Sequence, residues 1–135
     1  MIYSGLPARA RRERALRALK MVEMENRAKH RPMQLSGGQQ QRAAIARALV
    51  NNPKIVFGDE PTGNLDSHTG ELILELFRRL SQEGRTIALV THDPEIAAST
   101  PRRIEIRDGR IAHKVDRRLA GLEALSGMSR DDSHL

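Results

Sequence analysis

A chain of 135 residues, 39% hydrophobic and 30% charged, is long enough for one globular domain with a modest core. It contains no cysteine, which excludes disulfides and thiolate metal sites, and no apolar run approaches the roughly 18 residues that a membrane helix requires. The net charge of +6 would suit nucleic acid, but one tyrosine and two phenylalanines provide no stacking platform, so nucleic acid is not an expected partner.

The first predicted helix covers about residues 8–24. Ala15, Ala18, Leu19 and Val22 recur at helical spacing, and several arginines lie between them. The pattern indicates an amphipathic helix whose basic face is exposed to solvent.

The start of the next predicted helix has the features of an anion site. Ser36 is a good N-cap, and Gln39 stands three residues later, where the partner of a capping box belongs. Gly37 and Gly38 lie between them and would let a ligand approach the backbone closely. A helix start offers N–H groups and the positive end of the helix dipole, which favour an anion. The helix is predicted over about residues 39–50.

Two short and nearly all apolar stretches, residues 55–59 and 86–91, are typical of parallel strands covered on both faces. Between them, apolar residues at helical spacing predict an amphipathic helix that ends near Gly84. Glu75 and Arg79 are placed to pair across one turn of this helix. The strand–helix–strand order is a βαβ unit and predicts an open α/β sheet.

Polar residues follow each of the two predicted strands. Asp59 and Glu60 end the first strand, at the edge where α/β sheets place their ligand sites. Neighbouring residues of an extended chain point in opposite directions, so the two carboxylates can have different functions. Asp66 is a predicted N-cap of the connecting helix, and His92 follows the second strand.

The last third of the sequence predicts a short helix and a hairpin. Asp93 followed by Pro94 reads as an N-cap with proline at the first helical position. Ile104 and Ile106 alternate with charged residues, and an Asp-Gly pair at residues 108–109 predicts a two-residue hairpin turn. Weak patterning beyond Gly121 indicates a frayed tail.

In order and spacing, these motifs resemble the signature motif, Walker B strand, D-loop and switch histidine of ATP-binding cassette (ABC) ATPases. The resemblance extends from about the first residue to about Val115. It implies an α/β, partial P-loop NTPase fold, a mostly parallel sheet with flanking helices that lacks the N-terminal P-loop half. Residues 61–66, with three glutamines after the signature, resemble the branch that drives lipoprotein release and macrolide export.

The resemblance implies ATP and Mg²⁺ as cofactors and a role for each motif. Asp59 would help to hold Mg²⁺, Glu60 would act as general base on the attacking water, and His92 would contact the γ-phosphate. Asp66 would communicate across a head-to-tail dimer with a second cassette. Four signature residues would close over the ATP held by that second cassette: Ser36, Gly37, Gly38 and Gln39.

The phosphate-binding loop of this family is missing from the sequence, which has no Gly-Lys pair. We therefore expect the C-terminal portion of a cassette, with a helical-subdomain part and the signature at residues 1–50. The Walker B, D-loop and switch-histidine part would span residues 51–116, and the tail residues 117–135. Alone, the chain is expected to bind ATP weakly, to hydrolyse it negligibly, and to self-associate because apolar sheet surface loses its cover.

The expected function is that of the ATP-hydrolysing subunit of an ABC transporter. It would power export or lipoprotein release through a transmembrane permease, from a peripheral position on the cytoplasmic face of the plasma membrane. One alternative is a non-transport ABC ATPase of DNA repair or chromosome maintenance, although no sustained heptad pattern of the kind those proteins carry occurs here. The other is a catalytically dead cassette fragment that acts as an interaction module.

Overall fold

The computed structural model describes residues 5–117, which divide into two compact units. The first unit ends at Val90 and contains the helices α1 (Ala8–Met21), α2 (Gly37–Leu49) and α3 (Ser67–Gln82) and the strands β1 (Ile55–Asp59) and β2 (Thr86–Val90). The second unit begins at Thr91 and contains α4 (Pro94–Ala98), β3 (Arg102–Arg107) and β4 (Arg110–Asp116). The predicted tail beyond Gly121 lies outside the described residues.

The predicted βαβ unit is present in the first unit. Strands β1 and β2 pair in parallel, with Ile55 opposite Thr86 and Asp59 opposite Val90, and α3 connects them. Gly84 follows α3 with a φ of 93°, a left-handed conformation in which glycine carries no Cβ strain, as the sequence predicts for a helix end.

Within the described part of the first unit, one face of the β1–β2 sheet is covered. Val56 is buried within the hydrophobic core. On the other face Phe57 is 78% exposed, Val90 is 61% exposed and Ile55 is 52% exposed. The expectation of strands covered on both faces is therefore wrong within residues 5–117, because successive side chains of a strand alternate between the two faces and the described helices pack on one. Ile55, Phe57 and Val90 thus form an exposed apolar face of this sheet.

The core of the first unit is formed where α1, α2 and α3 pack together with β1. Ile73, Leu80 and Val22 are fully buried at its centre. It is completed by eight further apolar residues: Ala18, Met24, Ile45, Ala46, Leu49, Val56, Leu76 and Phe77.

Helix α1 ends at Met21, earlier than predicted, and Arg79 takes a different partner from the one expected. Glu23 has a φ of 60°, which breaks the helical path. The Arg79 guanidinium donates to the Glu23 carboxylate and to the Met21 carbonyl, both at 2.8 Å. The expected pairing with Glu75 on the same helix is replaced by this contact with the end of α1.

In the second unit the local predictions are confirmed. The Asp93 carboxylate caps α4 by accepting hydrogen bonds from the Glu95 and Ile96 amides, and Pro94 opens the helix. Strands β3 and β4 form an antiparallel hairpin whose turn residues, Asp108 and Gly109, both have positive φ. No helix within residues 5–117 has the length and apolar character needed to cross a bilayer.

Candidate functional site

Helix α2, called the signature helix below, begins with the predicted capping box. The Ser36 hydroxyl accepts a hydrogen bond from the Gln39 amide at 3.3 Å, and the Gln39 side chain accepts one from the Ser36 amide at 3.1 Å. The helix starts at Gly37, two residues earlier than predicted, because Ser36 itself is the N-cap. The N–H groups of such a first turn have no intrahelical acceptor, so this end of the helix is suited to an anion.

Gln40 fixes the loop that precedes the signature helix, a role that sequence reasoning missed. Its side-chain amide donates to the Pro32 carbonyl at 3.2 Å and to the Leu35 carbonyl at 3.1 Å. The signal was present as the second of three consecutive glutamines, but only the fold shows which of them turns back to the loop.

The two glycines of the signature have different surroundings. Gly37 is exposed, whereas Gly38 is buried. A Cβ added at Gly38 would overlap the Cγ2 methyl of Thr69 on α3. Close helix packing is therefore a reason for glycine at position 38, alongside the expected approach of a ligand to the backbone.

Asp59 and Glu60 lie at the carboxyl end of β1, as predicted. Asp59 is the last residue of the strand and is exposed. Glu60 has a φ of 42°, in the left-handed region, and its amide donates to the Val90 carbonyl of β2 at 2.9 Å. A non-glycine residue in this region costs on the order of 1–3 kcal/mol, and such residues concentrate at functional sites.

The start of the signature helix and the segment after β1 border one open depression of about 340 Å³. From the signature helix it is lined by Gly37, Gln40 and Gln41. From the segment after β1 it is lined by Glu60, Pro61, Asn64 and Leu65. Ser36, Gln39, Asp59 and Asp66 are not among its lining residues. The fold thus brings Gly37 to the same depression as Glu60.

Asp66 caps α3, as predicted. Its carboxylate accepts a hydrogen bond from the Thr69 amide at 3.0 Å. Hydrogen bonding from the Thr69 side chain, followed by that from the Thr69 amide, lowers the pKa of Asp66, and the charge of His68 acts in the same direction. The carboxylate is thereby held in its ionised form over a wider pH range.

His92 is exposed and belongs to the second unit, immediately after Thr91. The lining residues of the depression all come from the first unit. Within residues 5–117 no group of three or more His, Cys, Asp or Glu side chains is placed to hold a metal ion. A divalent cation at Asp59 would therefore take most of its ligands from elsewhere, and the exposed Asp59 carboxylate fits the role of a single ligand.

Comparison with known proteins places these motifs in one family. Residues 6–63 match the family model described as ABC transporter. The chain is 56% identical over 117 residues to a macrolide export ATP-binding/permease protein of Paracoccus denitrificans, covering 87% of this chain and 17% of the relative. It is 56% identical over 111 residues to an uncharacterized ABC transporter ATP-binding protein of Thermotoga maritima, covering 82% of this chain and 47% of the relative.

A solved structure supports the same assignment. It is the dimeric, post-hydrolysis state of an ATP-binding cassette bound to ADP and inorganic phosphate. It matches with a TM-score of 0.69 and 48% identity, over 85% of this chain and 50% of that one.

The chain spans less than half the length of the curated relatives described. The α/β, partial P-loop NTPase fold predicted from the motifs is confirmed by the structural match. The prediction named a branch of lipoprotein release and macrolide export, and relatives named as macrolide export proteins confirm the macrolide-export part. This chain belongs to the ATP-binding cassettes of the ABC transporter family.

Proposed function

We propose that this chain supplies the signature, Walker B, D-loop and switch-histidine parts of a cassette that hydrolyses ATP to drive export through a membrane permease. The observation that carries the proposal is the pair of carboxylates at the carboxyl end of β1, where Glu60 has a φ of 42° and its amide donates to the Val90 carbonyl at 2.9 Å. Phosphoryl transfer to water needs a positioned group that orients the attacking water, and a carboxylate on a constrained backbone can supply it. The anion-favouring start of the signature helix would meet the phosphates across a dimer.

Glu60 is the proposed general base. Its left-handed backbone is held by the hydrogen bond of its amide to Val90, so the position of the residue is set by the sheet. A fixed base orients the attacking water, which supports catalysis by positioning. Asp59 is proposed to contribute one carboxylate to the Mg²⁺ that accompanies the nucleotide phosphates.

The remaining motif residues are proposed to act across a dimer. Residues 36–39 would contact the phosphates of a nucleotide held by a second cassette, Asp66 would report on that interface, and His92 would contact the γ-phosphate. The dimeric cassette with ADP and phosphate, 48% identical to this chain, supports this arrangement. The division into residues 1–50, 51–116 and 117–135 stays a prediction.

Two further proposals concern the setting of the protein. A cytoplasmic position at the inner face of the plasma membrane, beside a permease, follows from relatives whose names join ATP binding to a permease. The 135-residue chain alone is proposed to hydrolyse ATP negligibly, because it has no Gly-Lys pair with which to hold the phosphates.

Two substitutions test the proposed base. Mg²⁺-dependent ATP hydrolysis is measured on the polypeptide as its source cell makes it, and on Glu60→Gln and Glu71→Gln variants. Loss of a general base should lower the rate about 10²–10⁴-fold while the Kd for ATP is retained. Glu71 is exposed on α3 and undergoes the same charge change, so its variant should match the wild type. A wild-type rate for Glu60→Gln would refute the role of base, and hydrolysis at ordinary cassette rates by the 135-residue chain alone would refute its inactivity.

The exposed apolar face of the β1–β2 sheet favours a second candidate, an interaction module that pairs with an intact cassette. Phe57 at 78% exposure is a large apolar side chain without cover among the described residues. Co-purification of the chain with an intact ABC cassette, lost in a Phe57→Lys variant, would support the module. Recovery of the chain free of any cassette would count against it.

A further inference from the structure

The positive charge of this chain is concentrated in the segment that precedes the signature helix. Residues 8–31 contain nine Lys and Arg side chains and three Glu side chains, a net charge of +6. This value equals the net charge of the whole chain, because the remaining residues contain 14 basic and 14 acidic side chains. The excess of positive charge therefore belongs to α1 and the loop that follows it.

Helix α1 presents part of this charge on one side, called the basic face below. The basic face consists of the exposed residues Arg9, Arg12, Arg17 and Lys20. Their spacing of three, five and three residues places them on one side of a helix with 3.6 residues per turn. Ala18, on the opposite side of the helix, is buried in the core. The packing of α1 therefore leaves the basic face directed away from the core.

Among the described residues, most of the basic face has no anionic partner. Arg9 pairs with Glu13 at 3.1 Å, and its side chain remains 93% exposed. Arg12, Arg17 and Lys20 form no salt bridge within residues 5–117. These three cations are therefore available to an external anion.

The same arrangement is unfavourable for the helix itself. The first turn of α1 contains no acidic residue, and Pro7 before it provides no side-chain cap. Arg9 and Arg11 lie instead at the end of the helix where the macrodipole is positive and favours anions. Arg17 and Lys20 are neighbours one turn apart, so like charges repel. Departures from local preference are expected where a residue serves a function, and an anionic surface would relieve both conflicts.

We propose that the basic face of α1 binds the anionic lipid headgroups at the inner face of the membrane. Clusters of about four to eight Lys and Arg residues on an amphipathic helix bind acidic phospholipid surfaces, and α1 contains six. The exposed side of a helix is convex, which suits an extended array of headgroups. Leu16, 41% exposed on the same side, adds an apolar contact. The inference rests on the proposed function only for the position of the cassette beside a membrane.

Co-sedimentation of the full 135-residue chain with vesicles, without nucleotide, tests the proposal. The chain should bind vesicles of equal parts phosphatidylglycerol and phosphatidylcholine more tightly than vesicles of phosphatidylcholine alone. The neutral vesicles measure any binding through the exposed sheet face, which does not depend on lipid charge. Arg12→Gln/Arg17→Gln/Lys20→Gln should lower the affinity for the mixed vesicles roughly 100-fold, since each basic residue near an anionic surface contributes about fivefold.

A matched variant separates the basic face from the net charge of the chain. Arg107→Gln/Arg110→Gln/Lys114→Gln removes the same charge from exposed positions of the second unit and should bind the mixed vesicles nearly as the wild type does. An equal loss of affinity in both triple variants would overturn the proposal, because any basic surface would then suffice. Equal binding of the wild type to the two kinds of vesicle would also overturn it.

Salt provides a measurement that needs no variant, should the α1 variant fail to fold. The wild type should leave the mixed vesicles at 1 M salt, where the Debye length is about 3 Å, and binding that is insensitive to salt would overturn the proposal.

An acidic protein segment is the rival occupant of the basic face, and poly-glutamate is the probe for it. If poly-glutamate binds the wild type but not the α1 variant, and the mixed vesicles bind neither, the lipid surface is overturned in favour of an acidic segment. Each measurement is made without ATP, so lipid binding and the proposed hydrolysis can fail independently.

Discussion

The guanidinium of Arg79 on α3 lies 2.8 Å from the carboxylate of Glu23, just beyond the end of α1. Arg42 of the signature helix approaches the second oxygen of the same carboxylate at 3.3 Å and donates to the Val22 carbonyl at 3.0 Å. One carboxylate with two arginines therefore joins the end of α1 to both of the other long helices. The carbonyls at the end of α1 gain the cationic partners that a helix C-terminus favours.

This network predicts an acid-sensitive contribution to stability. The hydrogen bond from Arg79, and then the charge of Arg42, lower the pKa of Glu23 below its ordinary value of 4.5. Because the folded-state pKa is depressed, the contribution is complete above that ordinary value and is lost as the pH falls through the lower folded pKa. It should amount to less than about 1 kcal/mol, since Glu23 is 61% exposed and solvent screens the pairs.

Urea unfolding at pH 7 and below pH 4 measures this contribution. Glu23→Gln should be less stable than the wild type at pH 7, and the difference should shrink in acid. Glu25→Gln removes a nearby exposed carboxylate and should show neither effect. A Glu23→Gln deficit that is equal at both pH values would show that packing, not charge, is responsible.

Removal of the cap at Ser36 should weaken the signature helix. Ser36→Ala loses the acceptor of the Gln39 amide and should cost about 1 kcal/mol of unfolding free energy, whereas Ser36→Gly should cost only a few tenths. Ser67→Ala, at the first position of α3, is a matched control without a capping role. Urea denaturation measures the free energy of unfolding of the three variants and of the wild type. An equal free energy of unfolding for Ser36→Ala and wild type would contradict a structural role for the cap.

Relief of the strained backbone at Glu60 should stabilise the fold while it removes the proposed base. Glu60→Gly avoids about 1–2 kcal/mol of left-handed strain. It forfeits about 0.5–1 kcal/mol to the greater flexibility of unfolded glycine, so a gain of up to about 1.5 kcal/mol is expected. Glu60→Ala loses the same carboxylate but keeps a Cβ at φ 42°, and should show no such gain. Thermal unfolding of the two variants distinguishes them, and a Glu60→Gly protein no more stable than Glu60→Ala would rule out the strain.

The exposed sheet face should drive self-association of the chain. Phe57→Thr replaces a side chain that is 78% exposed by a polar strand former, and should lower association in sedimentation velocity with little loss of stability. Val56→Thr, on the buried face at 5% exposure, should instead destabilise the fold. If Phe57→Thr associates as strongly as the wild type, this face does not drive self-association.

The local features of the protein could be predicted from the sequence. The capping box of Ser36, the caps at Asp66 and Asp93, and the Asp108 turn each depend on residues within three positions of one another, so local preference is sufficient to specify them. The spacing of apolar residues likewise predicted the βαβ unit. The ends of the helices and strands differ from the predicted ends by one to three residues.

The contacts between distant residues depend on how the helices and strands pack, so they could not be predicted from the sequence. Arg79 takes Glu23, 56 residues away, rather than Glu75 one turn away, because the packing of α3 brings its side chain to the end of α1. Gly38 meets Thr69 for the same reason, and no local preference of either residue encodes their meeting. The apolar run of β1 could not reveal that Phe57 lies on an uncovered face, because burial depends on what packs against a strand as well as on its composition.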